Sequence, residues 1–265
     1  MPRLSILIKI EINKFDSTPK LNQRQREKFF AINSAVEEYL ACIKKNINRV
    51  GFLIQLAYFR ASGKFFPNSC FRIEDITFAC SALNIEPMNL NLSATNYLPR
   101  DKTIHKKIIL KYLNWQAFDK IALEKLKQEL LLHAKQQLRP KILFSIATQF
   151  LLNNNIELPQ YYVIADLITT AYNEVENVLI KIIEQMLTAY QKEILDDIIC
   201  IDDKGNKHYK YSCLAKIKQM SQSTKIVNIL DSIETFKLIK EFYNNFAKVY
   251  AALELSEHAC QYYAI

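Results

Sequence analysis

The chain has 265 residues, half of them hydrophobic and 23% charged, with 35 Lys or Arg against 27 Asp or Glu and a formal net charge of +8. That length buries a real core, as one large domain or two smaller ones, and a mean hydropathy of -0.07 excludes both a disordered chain and a bundle of membrane spans. The charge is lopsided: residues 1–141 hold 24 basic and 12 acidic side chains, whereas residues 142–265 hold 11 and 15. The front is therefore expected to meet a polyanion, because Lys and Arg displace counterions from phosphates; charge alone does not separate DNA from RNA or anionic lipid.

At the start, Arg3, Lys9 and Glu11 interrupt the apolar residues of Met1 to Ile12, and no small-residue cleavage site follows, so a secretory signal is not expected. Every later apolar run is also broken by charge before it reaches the roughly 18 to 20 residues of a membrane span. A cytoplasmic protein with no membrane partner is the expectation. Three glycines (Gly51, Gly63, Gly205) and seven prolines, all at or before Pro159, point to an all-α fold. Short helices are predicted at Gln23 to Ile32, Ser34 to Ile43, Asn48 to Arg60, Arg72 to Leu83 and Asp101 to Leu113, punctuated by Pro67, Pro87 and Pro99. Their length and brief turns suit helix-turn-helix units.

Longer helices are predicted from Asp119 to Leu138, along the stripe from Ile164 to Leu187, and from Phe236 to Leu253 after a cap at Asp231 or Ser232. With no proline after Pro159, the last hundred-odd residues can run as uninterrupted helix except at Ile201 to Tyr211. There, Asp202, Asp203 and the Lys204-Gly205-Asn206 turn predict a hairpin or a loop. The expected fold class is thus all-α, a multi-helix array with helix-turn-helix-like modules on the N-terminal side and longer helices on the C-terminal side. Two domains are expected, 1–158 (basic, able to divide into two sub-bundles near 115–118) and 159–265, with the loop near 201–211.

Little in the sequence carries chemistry. Both glycine-rich phosphate cradles need clustered glycines, which this chain lacks. Cys200, His208 and Cys213 are too widely spaced for a zinc site, and the adjacent acids Asp196-Asp197 and Asp202-Asp203 read as solvated. His105, His133 and His258 have no nucleophile or acid at a spacing that announces a dyad. The six cysteines (Cys42, Cys70, Cys80, Cys200, Cys213, Cys260) have no close pair and are expected to be buried apolar residues. No catalytic residue, metal, cofactor or small-molecule substrate is expected. The aromatic pairs Phe29-Phe30 and Phe65-Phe66 read as core rather than as stacking platforms for bases.

Basic rows are more informative. On a helix, Arg100, Thr103, Lys107 and Lys111 fall in one narrow stripe with His105 and Lys106 beside it, a row that matches a run of phosphates or, equally, a solvated helix face. A second basic stretch, His208, Lys210, Lys216, Lys218 and Lys225, surrounds Ser221-Gln222-Ser223-Thr224, whose side chains can bond phosphate oxygens, although Ser221 or Ser223 also reads as a helix cap.

Several motifs add a family resemblance. Met1 to Leu7 with Phe15-Asp16-Ser17, the block Val50-Gly51-Phe52-Leu53-Ile54-Gln55-Leu56-Ala57-Tyr58-Phe59, then Phe65-Phe66-Pro67, Phe71-Arg72 and Asp75-Ile76, resemble in order the opening of transposases of the Tn-three family. These are the replicative bacterial transposases. Leu138-Arg139-Pro140, Ile156 to Pro159 with Tyr161, Ser221-Gln222-Ser223, Leu255-Ser256 and Tyr262-Tyr263-Ala264 extend the resemblance over essentially the whole chain. It departs at Asn84-Ile85, where the family has a Leu-Gly turn, and at His105-Lys106, where it has an Arg-His-Arg-like cluster.

The resemblance implies a helical region that binds double-stranded DNA at transposon ends, with the catalytic domain beyond Ile265, so that this chain is not an enzyme. The DNA contacts it implies, together with the basic rows, are Arg3, Arg49, Arg100, Thr103, Lys106, Lys107, Lys111, Lys216, Lys218, Ser221 and Ser223. The alternative is a truncated remnant that acts through contacts with full-length transposase or is inactive.

Overall fold

The computed structural model describes residues 6–86, 97–136, 138–199 and 226–255. Within them lie α1 (Lys9–Asp16), α2 (Gln23–Phe29), α3 (Ser34–Cys42), α4 (Asn46–Ser62), a 3-10 turn (Asn68–Cys70), α5 (Ile73–Ala82) and α6 (Pro99–Leu113). They are followed by α7 (Lys120–Ala134), α8 (Pro140–Asn153), α9 (Tyr161–Met186), α10 (Ala189–Ile199) and α11 (Ile226–Ala252). Among these residues there is no β-strand beyond a lone bridge between Gln116 and Ile156, so the protein is all-α as expected. The chain forms two compact units, Met1–Tyr172 and Asn173–Ile265, with α9 crossing the division.

Unit one is organised around α4. From Val50 to Phe59 this helix carries no charge, and a helix that is apolar all round must be covered all round. All ten residues are buried. Val50, Leu53, Ile54, Ala57 and Tyr58 pack with Leu21, Phe30, Phe71 and Tyr97, while Phe52, Leu56 and Phe59 pack with Val36, Leu40, Ile109 and Leu110. Two of the polar side chains drawn inside, Asp75 and Gln55, are paired. Asp75, fully buried, accepts from Arg26 Nε at 2.7 Å and from the Tyr58 hydroxyl at 2.8 Å, which ties α2, α4 and α5 together. The Gln55 amide closes a two-way bond with the Phe66 backbone.

Helix α6 lies beside α4 and parallel to it, fixed by contacts in step. Asn48 Nδ2 donates to Asp101 at 3.0 Å, the Phe52 and His105 rings meet edge to face at 5.3 Å, and Arg60 donates to the Tyr112 hydroxyl at 3.2 Å. Gly51 permits a further close approach, since a Cβ there would stand 2.8 Å from the Tyr97 ring.

Asparagine does the work of the missing glycines at helix ends. Asn84, Asn114 and Asn155 have φ of 53°, 58° and 52°, the left-handed conformation that Asn tolerates better than other side-chain-bearing residues. After each, the next amide reaches back five residues: Ile85 to Cys80, Trp115 to Leu110 and Ile156 to Leu151, at 2.8 to 2.9 Å. The Asn84-Ile85 departure from the family pattern therefore keeps the tight turn.

Four sequence expectations need correction. Helix α8 was not expected; it starts with Pro140 in its first turn, where the missing N–H costs nothing. Helix α9 covers the stripe expected from Ile164 to Leu187, but the helix does not continue uninterrupted beyond it: Thr188 and Gln191 exchange side-chain and backbone hydrogen bonds and start α10 afresh, a capping box in a segment free of proline. Helix α11 already begins at Ile226, so Asp231 and Ser232 lie within it rather than at its cap. Of the cysteines, Cys80 is buried but Cys42 and Cys70 are exposed, Cys42 because it falls on the side of α3 away from Val36 and Leu40. The segment 201–211 lies outside the described residues.

Candidate nucleic-acid interface

Helix α6 has two chemically distinct sides. His105, Ile109 and Leu110 are buried. Opposite Ile109, within an arc of about 80° at helical pitch, stand Arg100, Thr103, Lys107 and Lys111, all exposed. Asp101, the one acid of this helix, is taken up by the bond from Asn48, so no carboxylate of α6 competes for the row. The Thr103 hydroxyl donates to the Pro99 carbonyl at 3.0 Å and keeps its acceptor side outward from that bond.

The neighbours in sequence are used differently. Lys106 is held at 2.6 Å by Glu157, whose other oxygen accepts from the Phe118 amide at 3.4 Å, and its ammonium lies 5.3 Å from the centre of the Phe65 ring. Glu157 is buried, brought there because the segments after α6 and α8 exchange backbone hydrogen bonds through Gln116. His105 is also buried, its Nδ1 sharing a hydrogen bond with the Tyr97 hydroxyl at 2.8 Å. Burial pushes its imidazole down to about 4, with Asp101 countering part of the shift, so it is neutral near pH 7 and adds no charge to the row.

Arg49 stands in the first turn of α4, beside the Asn48 that bonds Asp101 of α6. It is half-buried, and its Nε is covered without a hydrogen-bond partner. The same corner carries Lys44 and Lys45, both exposed, ahead of a helix with no acid in its first turn and no side-chain cap. Sequence reasoning passed over this pair; the signal was two adjacent lysines directly before an uncapped helix start, where they sit against the dipole. Arg3, Lys216, Lys218, Ser221 and Ser223 lie outside the described residues, as do Cys200, His208, Cys213, Asp202, Asp203 and His258.

Among the described residues, no group of three or more His, Cys, Asp or Glu is placed to hold a metal ion, and no helix is long and apolar enough to cross a membrane. Asp196 is exposed, as a solvated acid should be.

A helical unit with one charged helix laid on an apolar one is the class that these features define. Residues 6–171 match the domain of unknown function DUF4158, and the chain belongs to that family. The match ends one residue before Tyr172, where the first compact unit ends. No curated protein matches the chain.

Proposed function

We propose that this chain is the end-recognising part of a replicative transposase of the Tn-three family. It binds double-stranded DNA at the terminal inverted repeats, in the cytoplasm, and contributes no catalysis of its own. The observation that carries the DNA-binding part of this reading is the one-sided row Arg100, Thr103, Lys107 and Lys111, exposed along a helix whose opposite face is core. The ordered motifs that resemble that family support it from another direction. The longest, Val50 to Phe59, is buried throughout, so it speaks to the shared fold, and DNA contact falls to exposed side chains around it. Phosphate contacts then set register and the polar side chains of the short helices read bases.

The test is to incubate the chain with sheared genomic DNA of its host, recover the bound fragments and sequence them. Enrichment of inverted repeats flanking the coding region is expected; uniform coverage, or no recovery, would overturn end recognition.

One observation favours a second reading. In unit two, Phe236, Tyr243 and Tyr250 of α11 recur every seven residues and are more than half exposed, and large exposed apolar side chains on one helix face suit a contact site. A remnant that works through full-length transposase would use it, and co-purification with that enzyme in the absence of DNA separates the two readings.

A further inference from the structure

We infer that the row Thr103, Lys107 and Lys111 of α6, together with Lys44 and Lys45 at the head of α4, is a rail for the phosphates of a DNA duplex and takes no part in telling one base sequence from another. The inference rests on the DNA-binding reading above and narrows it.

Direction is the first argument. Thr103, Lys107 and Lys111 follow one another at intervals of four residues, about 6 Å along the helix axis, and all face outward. Such a row is arranged to follow a backbone lengthwise. The recognition helix of a typical helix-turn-helix instead contacts base edges with its N-terminal residues.

Composition is the second. Exposed on α6 are Pro99, Arg100, Thr103, Ile104, Lys107 and Lys111; the helix contains no Asn or Gln, the side chains that fork onto adenine, and Arg100 in the first turn is its one exposed residue with the planar fork that reads guanine, which leaves Thr103, Lys107 and Lys111 to the phosphates. Lysine meets phosphate as a point charge, with none of the planar geometry that discriminates edges. Thr103 already spends its proton on Pro99.

The third argument is mounting. Lys106–Glu157, Asn48–Asp101 and Arg60–Tyr112 pin α6 near both ends and in the middle, which holds the cations at fixed spacing. Because α4 and α6 run parallel and are joined at their first turns, Lys44 and Lys45 stand at the same end of the helix pair as Arg100. Both acids at these joints, Asp101 and Glu157, are paired inward.

The test uses the full chain and two double variants, Lys107→Gln/Lys111→Gln and Lys44→Gln/Lys45→Gln. Each is titrated over a range of salt against a random-sequence duplex and against the duplex that the unaltered chain enriches from a randomised pool. Each pair should lower the log–log salt slope by about 1.8 on both duplexes, and the preference between the duplexes should stay within about twofold. Lys107→Arg/Lys111→Arg should restore the slope. A preference that collapses means base reading, and an unchanged slope means no phosphate contact; either overturns the rail. If the unaltered chain binds no duplex, the DNA-binding reading falls with it, whereas end preference with unmoved slopes sinks the rail alone. Unchanged helical circular dichroism and melting temperature identify any variant whose loss comes from unfolding.

Discussion

Helices α4 and α6 lie side by side and parallel, yet they are built on opposite principles. The middle of α4 is apolar around its whole circumference and is covered on every side, whereas α6 gives one face to α4 and turns a cationic row outward. The difference separates what holds the fold from what is available to a partner. The longest motif shared in resemblance with transposases sits on the first helix, and the outward cationic row sits on the second. Changes in the buried middle of α4, Val50 to Phe59, and in its contacts should therefore move stability without moving the salt dependence of DNA binding, and changes on the outer face of α6 should do the reverse.

The largest effect expected is at the joint under α4. Asp75→Ala leaves the Tyr58 hydroxyl and the largely buried Arg26 without their acceptor and should cost about 3 to 5 kcal/mol, read by urea unfolding. A loss below about 1 kcal/mol would place the network outside the core's support.

Next is His105, where α6 meets α4. Its unfolded imidazole binds a proton near 6.5 and its folded one only near about 4, so its contribution is fully present above pH 6.5 and is lost as the pH falls through that interval. The loss should reach about 2 to 3 kcal/mol by the lower end. His105→Gln should flatten this part of the pH profile; an unaltered profile would mean that the ring titrates normally in the folded chain.

Smaller still is the turn after α5. Asn84→Ala places an ordinary side chain at φ of 53° and should cost about 1 kcal/mol, while Asn84→Gly should cost nothing or stabilise slightly. Equal melting temperatures for all three would deny that the left-handed cap matters. On the outer face of α6, the lysine pair Lys107 and Lys111 should leave unfolding within about 0.5 kcal/mol of the parent while changing the salt slope. A loss of stability there would erase the contrast between the two helices.

What was legible in the sequence follows the same division. The cores of α2 to α6 could be read because apolar spacing and prolines mark them, whereas the complete burial of Val50 to Phe59 came only with the structure. The stripe Arg100, Thr103, Lys107 and Lys111 was legible as helical geometry, and it faces outward. What spacing could not convey was the use made of neighbouring charges. Lys106 looks like its neighbour Lys107 in sequence, and only the return of the chain at Glu157, 51 residues later, neutralises it.

Local signals were also missed. Three asparagines followed by Ile85, Trp115 and Ile156 are helix stops written without glycine. Pro140 reads as a break unless it is recognised as a first-turn residue, and Thr188 with Gln191 is a start signal inside an unbroken helical pattern. Periodicity likewise gave no warning that Phe236, Tyr243 and Tyr250 would be exposed, since an amphipathic stripe says which side is apolar and not what covers it.

The most direct test of the account is an anisotropy titration of the full chain against its element's terminal repeat and a scrambled duplex of the same length, at low and at high salt. Binding that is tighter to the true end, and that weakens steeply with salt on both duplexes, is the predicted result. Equal, weak binding to the two would contradict end recognition, and binding insensitive to salt would contradict the role assigned to the outer face of α6.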